Sequence, residues 1–234
     1  MPFRPETDNS YPNFIQVMLT LYILYLLPAI RNDDVADQFS FRPTGSTTAV
    51  FIYILHHVTL LLETNEYVRC LLVDFSKAID TVNHFIIIKK LQKLDIPTIV
   101  INWIIHFLTD RTLQVVINGR RSSRLSVTRS IVQGSGLGSL LFLIYILDLK
   151  TICNINILCR YADDLSQLRP QYSPSDLVGE FSHIVRWAEA NRLIINRSKT
   201  KDIVFRRPSL RHYISPPPLM QIEQVRKPNY LASC

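Results

Sequence analysis

The sequence predicts an α+β fold, in which helices and short strands are interspersed within one domain of two closely joined lobes. Apolar residues recur at helical spacing in several long segments. Short, mostly apolar runs that end at aspartate or at turn-forming residues predict strands between them. A chain of 234 residues with 47% apolar content can bury a sizeable core, but it is too short for several independent enzymes.

An apolar stretch, residues 14–30, lies near the beginning of the chain and contains Pro28. It is shorter than the roughly 20 residues that cross a bilayer, and no basic signal-peptide region precedes it. We therefore expect a buried helix here, and no membrane partner. Helical spacing predicts three further helices in this half of the chain, at residues 47–63, 82–94 and 98–108.

Two strand regions carry aspartates at their ends. Residues 67–73 suit a central strand, after which Asp74 emerges at the edge of the sheet. A strand pair is expected around residues 155–165, with Tyr161-Ala162-Asp163-Asp164 at its bend. The sequence thus predicts that the carboxylates follow strands.

The remaining elements are a hairpin and two helices. The turn-forming Asn118-Gly119 pair predicts a hairpin, and its strands are 113–118 and 125–129. An apolar helix is expected at residues 139–149. Ser173 is the expected N-cap of a helix that reaches about residue 190, because Pro174 suits its first position.

Charge and cysteine content restrict the partners and the setting. The net charge of +7 and the pI near 9.3 favour a polyanionic partner such as nucleic acid. The four cysteines form no C-x-x-C pair and no Cys/His cluster with zinc spacing. Neither a zinc finger nor a disulfide framework is indicated, and a reducing cytosolic or nuclear setting is expected.

The strongest chemical signal is the set of Asp74, Asp163 and Asp164, because strand ends can gather carboxylates that are distant in sequence. Two divalent ions roughly 3.5–4 Å apart need such oxygen ligands in enzymes that transfer nucleotides, and carboxylates suit Mg²⁺. An acidic pair in a hairpin turn and an aspartate that caps a helix are the simpler interpretation of the same residues.

Six short motifs occur in order between about residues 24 and 231. They are QFSFRP (38–43), DFSKAID (74–80), QGSGLG (133–138), YADD (161–164), NRLIINRSKTK (191–201) and NYL (229–231). Together they resemble the motifs of reverse transcriptases encoded by non-LTR, LINE-like retrotransposons.

The resemblance implies a right-hand polymerase with fingers and a palm, whose small antiparallel sheet is backed by helices; the thumb is expected to be missing. Fingers with adjoining palm helices would comprise about 1–70 and 84–130, and the palm about 71–83 and 131–210. An irregular tail, 211–234, would reach the start of the primer-grip region. The implied activity is RNA-directed DNA polymerisation, with an RNA template, a DNA primer and deoxynucleoside triphosphates as partners.

The resemblance also implies roles for the charged residues. Asp74 and Asp163 would hold two Mg²⁺ ions, with Mn²⁺ as an alternative, and Asp164 would assist. Lys199 would protonate the leaving pyrophosphate as a general acid; Lys201 and a simple solvated basic face are the alternatives.

A nucleotide pocket is implied around five residues. Arg42 matches a fingers arginine that binds the triphosphate, since guanidinium pairs well with phosphate oxygens; a surface salt bridge is its alternative. Gln133 and Gly134 would contact the sugar, or form a simple loop-to-helix turn. Phe75 and Ile79 complete the pocket. Ile79 occupies the position where relatives usually carry the phenylalanine that excludes ribonucleotides, so this discrimination is expected to be weaker.

Four arginines without an acidic neighbour could follow a phosphate backbone, or merely make a hairpin soluble. They are Arg120, Arg121, Arg124 and Arg129.

Other departures from the family pattern raise a second hypothesis. Val132 and Ser139 replace common prolines, and Ser40 replaces a glycine. We expect no preceding endonuclease and no following thumb. The alternative is therefore a catalytically silent, truncated remnant that at most binds nucleic acid; an intron-encoded maturase ranks third. Either form is expected in the nucleus or cytoplasm as a ribonucleoprotein, with its oligomeric state left open.

Overall fold

A five-stranded β-sheet forms the centre of the computed structural model, which describes residues 20, 22–40, 45–131, 136–207 and 214–226. The strands are β1 (Tyr67–Val73), β2 (Arg111–Leu113), β3 (Val116–Ile117), β4 (Arg120–Arg121), β5 (Leu125–Val127), β6 (Ile157–Tyr161), β7 (Asp164–Pro170), β8 (Lys201–Arg206) and β9 (Glu223–Arg226). The helices are α1 (Thr47–Thr64), α2 (Ala78–Thr81), α3 (His84–Leu91), α4 (Thr98–Leu108), α5 (Gly136–Ile146) and α6 (Leu177–Ala190). This mixture confirms the predicted α+β class.

The central sheet has the order β6–β7–β1–β8–β9. All neighbours are antiparallel except β8 and β9, which run parallel. The strand predicted at residues 67–73 is confirmed as β1, and it lies in the middle of the sheet. Because side chains alternate along a strand, Leu71 and Val73 enter one hydrophobic core while Val68 and Cys70 enter another on the opposite face.

The larger core lies between the sheet and helices α3 to α6. Asn83 caps α3, since its side-chain oxygen accepts a hydrogen bond from Ile86 N at 3.2 Å. The helix predicted at 98–108 is confirmed as α4. Tyr145 of α5 is fully buried, and its hydroxyl donates to the carbonyl of Asn191 beyond α6. These contacts fix the helices behind the sheet.

Helix α1 packs on the opposite face of the sheet. Ser46 caps it by accepting a hydrogen bond from Ala49 N at 3.0 Å. Its buried residues, Ile54, Val58 and Leu62, contact the second core. By length and composition alone α1 is apolar enough to cross a membrane, as are the core helices of some soluble proteins, and 17% of it is buried.

Strands β2 to β5 form an exposed arm, residues 111–127. β2 pairs with β5 and β3 with β4, and Asn118 and Gly119 join β3 to β4 with φ of +50° and +75°. Positive φ at both residues is the conformation of a type I′ turn, which confirms the predicted hairpin turn.

Several boundary predictions were wrong. The helix predicted at 82–94 is α3, which ends at Leu91, and the hairpin strands predicted at 113–118 and 125–129 are divided into the pairs β2–β5 and β3–β4. The N-cap of α6 is Asp176, whose Oδ1 accepts from Gly179 N at 2.6 Å, because Ser173 Oγ pairs with Ser175 instead. The helix predicted at 139–149 ends at Ile146. The sequence also did not predict strand β9, which pairs with β8 across a proline-bearing segment.

The apolar stretch 14–30 lies partly outside the described residues. Within them, Tyr22–Leu26 is π-helical and Leu27–Ala29 is α-helical. Leu26 and Ile30 are buried, but Ile23 and Leu24 are more than half exposed. The prediction of a buried helix is therefore correct only for the side that faces the core. The proposed ranges of fingers and palm stay a prediction.

Candidate active site

Asp74 follows the last residue of β1, at one end of the sheet. Its backbone N–H donates to Thr200 Oγ1 at 3.4 Å, and its carbonyl accepts from Asn196 N at 2.8 Å. Thr200 is fully buried and precedes β8. The segment that leads into β8 therefore holds the backbone of Asp74 in place.

A tight turn joins β6 to β7 at the same end of the sheet. Tyr161 pairs with Asp164, so only Ala162 and Asp163 form the link. Ala162 has a φ of +53°, a left-handed conformation that is uncommon for a residue with a Cβ. The predicted bend at residues 161–164 is confirmed.

Strand register brings the three aspartates together. Val73 of β1 lies opposite Leu165 of β7, which places Asp74 beside Asp164. Burial raises the pKa of the Asp164 carboxyl, and the negative charges of Asp163 and Asp74 raise it further. Mutual repulsion of this kind is relieved when a cation binds between the carboxylates.

A cavity of about 320 Å³ lies between this end of the sheet and α1. It is lined by Asp74, Asp164 and Lys199, and by apolar residues of α1 such as Phe51. Lys199 is exposed. In contrast, Lys201 forms an ion pair with Glu223 at 2.5 Å and a hydrogen bond to Ser198 O at 3.0 Å. Lys199 is thus the lysine beside the carboxylates.

The donor set fits a divalent ion that takes part of its coordination from a substrate. Within the described residues, no group of three or more His, Cys, Asp or Glu side chains could hold a metal ion by itself. Mg²⁺ in nucleotide-transferring sites is usually bound by one or two carboxylates together with substrate phosphates. Asp74, Asp163 and Asp164 lie at one end of the sheet and supply carboxylates that suit that mode.

Two residues of the expected nucleotide pocket lie beside Asp74. The Phe75 side chain is only 6% exposed, and its ring centroid is 6.2 Å from that of Trp187. Its ring therefore belongs to the core, so a contact to a nucleotide would involve its backbone. Ile79 is half-buried against the same core, and its carbonyl accepts from Ile131 N at 3.3 Å.

The other expected nucleotide-binding residues, Arg42, Gln133 and Gly134, lie outside the described residues. The four arginines are exposed and lie on or just after the arm. None of the four lines the carboxylate cavity. Their contact with nucleic acid stays a prediction.

Sequence analysis assigned no role to two hydroxyl groups at this end of the sheet. One belongs to Thr200, which holds Asp74. The other belongs to Ser40, whose Oγ accepts from Ala162 N at 2.7 Å. Both contacts join residues more than 120 positions apart, so no local pattern signals them.

Comparisons with known proteins identify the family. The family model described as reverse transcriptase (RNA-dependent DNA polymerase) matches residues 14–232. The chain is 25% identical to the probable RNA-directed DNA polymerase from transposon X-element of Drosophila melanogaster, and the match covers 97% of the chain and 26% of that relative. It is 26% identical to the RNA-directed DNA polymerase from mobile element jockey of the same species, with coverage of 72% and 19%. The chain thus spans about a quarter or less of the relatives' length.

Solved structures agree on the fold. The telomerase of Candida tropicalis in complex with a TWJ fragment of telomeric RNA matches with a TM-score of 0.62 and 14% identity, over 81% of this chain and 33% of that one. The apo telomerase of the same species gives a TM-score of 0.59 at 14% identity, over 80% and 36%. The fold is that of a polymerase fingers and palm, as predicted. Since the family model spans nearly the whole sequence, the chain belongs to the reverse transcriptases, with relatives among the non-LTR retrotransposons.

Proposed function

We propose that this chain is the copying part of an RNA-directed DNA polymerase, which adds deoxynucleotides to a DNA primer along an RNA template. The observation that carries the proposal is the shared cavity of Asp74, Asp164 and Lys199, beside the turn that bears Asp163. In such a cavity the carboxylates can bind metal ions, and the ammonium group can donate a proton to the departing pyrophosphate.

Each residue then has a distinct task. Asp74 and Asp163 hold two Mg²⁺ ions, or Mn²⁺ in their place, and Asp164 adds negative charge beside them. Those ions supply the activation of the primer 3′-hydroxyl and the stabilisation of the leaving group. Lys199 donates a proton to the pyrophosphate, because it is exposed in the cavity while Lys201 is engaged by Glu223.

The test is extension of a labelled DNA primer on an RNA template by this chain. We expect extension with Mg²⁺ and deoxynucleotides, and none when EDTA removes the metal. A parallel reaction with ribonucleotides reports whether Ile79 still excludes them. A folded protein that binds the primer–template but does not extend it would contradict the proposal and leave the alternative, a silent remnant.

The partners we propose are the RNA template and the DNA primer, with the arm as one contact. Between Arg111 and Ile146 the sequence contains no aspartate or glutamate. At the tip of the arm, each arginine lies opposite an aliphatic residue on the neighbouring strand: Arg121 lies opposite Val116, and Arg120 lies opposite Ile117. Each face of the hairpin therefore carries one arginine and one aliphatic side chain. This distribution of charge suits a nucleic-acid backbone better than an apolar protein surface. The nucleus or cytoplasm, as a ribonucleoprotein, is the setting that we propose.

Replacement of two arm arginines, Arg120→Ala with Arg121→Ala, is expected to weaken binding of an RNA–DNA duplex. If both contact phosphates, the slope of log K against log salt should fall by roughly 1.5 to 2. Fluorescence anisotropy over a range of salt concentrations measures this slope. The matched control, Lys93→Ala with Arg186→Ala, removes two exposed charges, one just after α3 and one on α6, and should leave the slope nearly unchanged. Equal slopes for the two double variants would show that the arm does not bind the duplex.

A further inference from the structure

A short segment that precedes Arg42 in the sequence lies along the outer edge of β6. We name residues 37–40 the strap. Arg160 N donates to Asp37 O at 2.7 Å, and Phe39 N donates to Arg160 O at 2.9 Å. Gln38 and Arg160 thereby form a parallel bridge. The strap therefore extends the sheet by one short strand, immediately beside the turn that carries Asp163.

The strap is anchored by a buried arginine that precedes the turn. Arg160 is 2% exposed, and its guanidinium donates to Ile146 O at 2.7 Å and Asp34 O at 3.2 Å. It also forms an ion pair with Asp37. These bonds hold the strap to β6 and to the end of α5 without any contribution from Ser40.

Ser40 reaches from the strap to the turn itself. Its hydroxyl accepts from Ala162 N at 2.7 Å and donates to Gln38 Oε1 at 3.0 Å, and Ser40 N also donates to Gln38 Oε1, at 3.1 Å. Ser40 is 4% exposed and Gln38 is 2% exposed. Because both hydroxyl partners are defined, the orientation of the hydroxyl is fixed.

The hydrogen bond with Ser40 supports Ala162, whose backbone conformation is strained. Ala162 adopts a left-handed conformation that costs a residue with a Cβ free energy, and such conformations persist only where neighbouring contacts hold them. The Ser40 bond supplies such a contact. Ala162 directly precedes Asp163, so its conformation sets where the Asp163 carboxylate points.

We propose that Ser40 is a positioning residue, which fixes the Ala162-Asp163 turn so that the Asp163 and Asp164 carboxylates keep the spacing needed for metal binding. This inference rests on the proposed function for its catalytic consequence. Ser40 replaces a glycine of the family pattern, and glycine has no hydroxyl, so the hydrogen bond between Ala162 N and Ser40 Oγ depends on the serine of this chain.

The test compares Ser40→Ala with Ser40→Thr, which keeps the hydroxyl, and with Ser173→Ala. Ser173 is a matched control because it is buried and hydrogen-bonded through Oγ but lies at the far end of β7. The first readout is amide hydrogen exchange at Ala162. In Ser40→Ala the protection of this amide is expected to fall by roughly five- to tenfold, the effect of one lost hydrogen bond. Ser40→Thr and Ser173→Ala should retain it.

The second readout is Mn²⁺ affinity, measured by electron paramagnetic resonance without any nucleotide. We expect Ser40→Ala to bind Mn²⁺ about threefold or more weakly than the wild type and Ser40→Thr to recover most of the loss. Unchanged Ala162 exchange in Ser40→Ala, or a loss of Mn²⁺ affinity no larger than that of Ser173→Ala, would overturn the proposal. Both measurements work on a protein that does not extend primers, so a failure of the proposed function is seen separately, in the extension reaction.

Discussion

Asp74→Asn is expected to lower the rate of primer extension on the order of 10³-fold, because it removes the charge of a metal ligand and leaves the shape of the side chain. Metal ions in such sites contribute several kcal/mol of transition-state stabilisation, and each 1.36 kcal/mol is tenfold in rate. Asp163→Asn should have an effect of the same size. Single-turnover extension with saturating primer–template measures the rate of the chemical step.

Asp95→Asn is the control, since Asp95 is exposed and lies outside the carboxylate cavity. It should extend primers at the wild-type rate. Asp74→Asn should unfold at the same denaturant concentration as the wild type or a higher one, because it removes a negative charge that raises the pKa of Asp164. A rate within tenfold of the wild type would mean that Asp74 is not a metal ligand, and the two-metal proposal would fail for this residue.

The sequence predicted the elements that have a strong local signal. Strand β1 and helix α4 were predicted with their observed bounds, because an apolar run and a helical repeat are properties of adjacent residues. Strand β9 was not predicted, since it is defined by pairing with β8 across a loop. Within the described part of the apolar stretch 14–30, the exposure of Ile23 and Leu24 was not predicted, because apolar content does not reveal which side of a helix faces a core.

At the candidate site, too, local features were predictable from the sequence, whereas contacts between distant residues were not. Aspartates at strand ends were visible in the sequence, and their meeting followed from the family's motifs. Lys199 was preferred from the resemblance, but the sequence did not decide between it and Lys201, because their surroundings depend on where β8 begins and on the ion pair of Lys201 with Glu223. The hydroxyls of Ser40 and Thr200 act on backbone groups more than 120 residues away, which no sequence pattern reports.

Glu180→Gln is expected to lower the free energy of unfolding by about 3 kcal/mol at neutral pH. Glu180 has no exposed surface, and its carboxylate accepts five hydrogen bonds. The five donors are Ile152 N, Cys153 N, Asn156 Nδ2, Gln167 Nε2 and Ser175 Oγ. Each carboxylate oxygen of Glu180 accepts at least two of these hydrogen bonds. In glutamine one of the two oxygens becomes an NH₂ group, which would then face hydrogen-bond donors instead of accepting from them. Chemical denaturation measures the loss, and Glu189→Gln on the exposed side of α6 is the matched control.

The pH dependence of this loss identifies its cause. Burial raises the pKa of the Glu180 carboxyl, but the hydrogen bonds, led by that of Ser175, lower it more, so the net pKa lies below the ordinary value of 4.5. Between these two pKa values the unfolded chain binds more protons than the folded one. The stabilisation by Glu180 is therefore complete above about pH 4.5 and is lost as the pH falls through the lower, folded-state pKa. The difference between wild type and Glu180→Gln should shrink on acidification, whereas Glu189→Gln should show no such trend.

A connection between Glu180 and the candidate site follows from where its donors lie. Gln167 belongs to β7, and residues 152–156 lead into β6, so one carboxylate secures both strands of the hairpin whose turn carries Asp163. Glu180→Gln should therefore raise amide exchange in β6 and β7 before it affects α4, on which Glu180 has no direct hydrogen bond. Uniform acceleration across the protein would instead mean that the hairpin unfolds only with the whole domain, and that Glu180 stabilises the fold without any local effect on the turn.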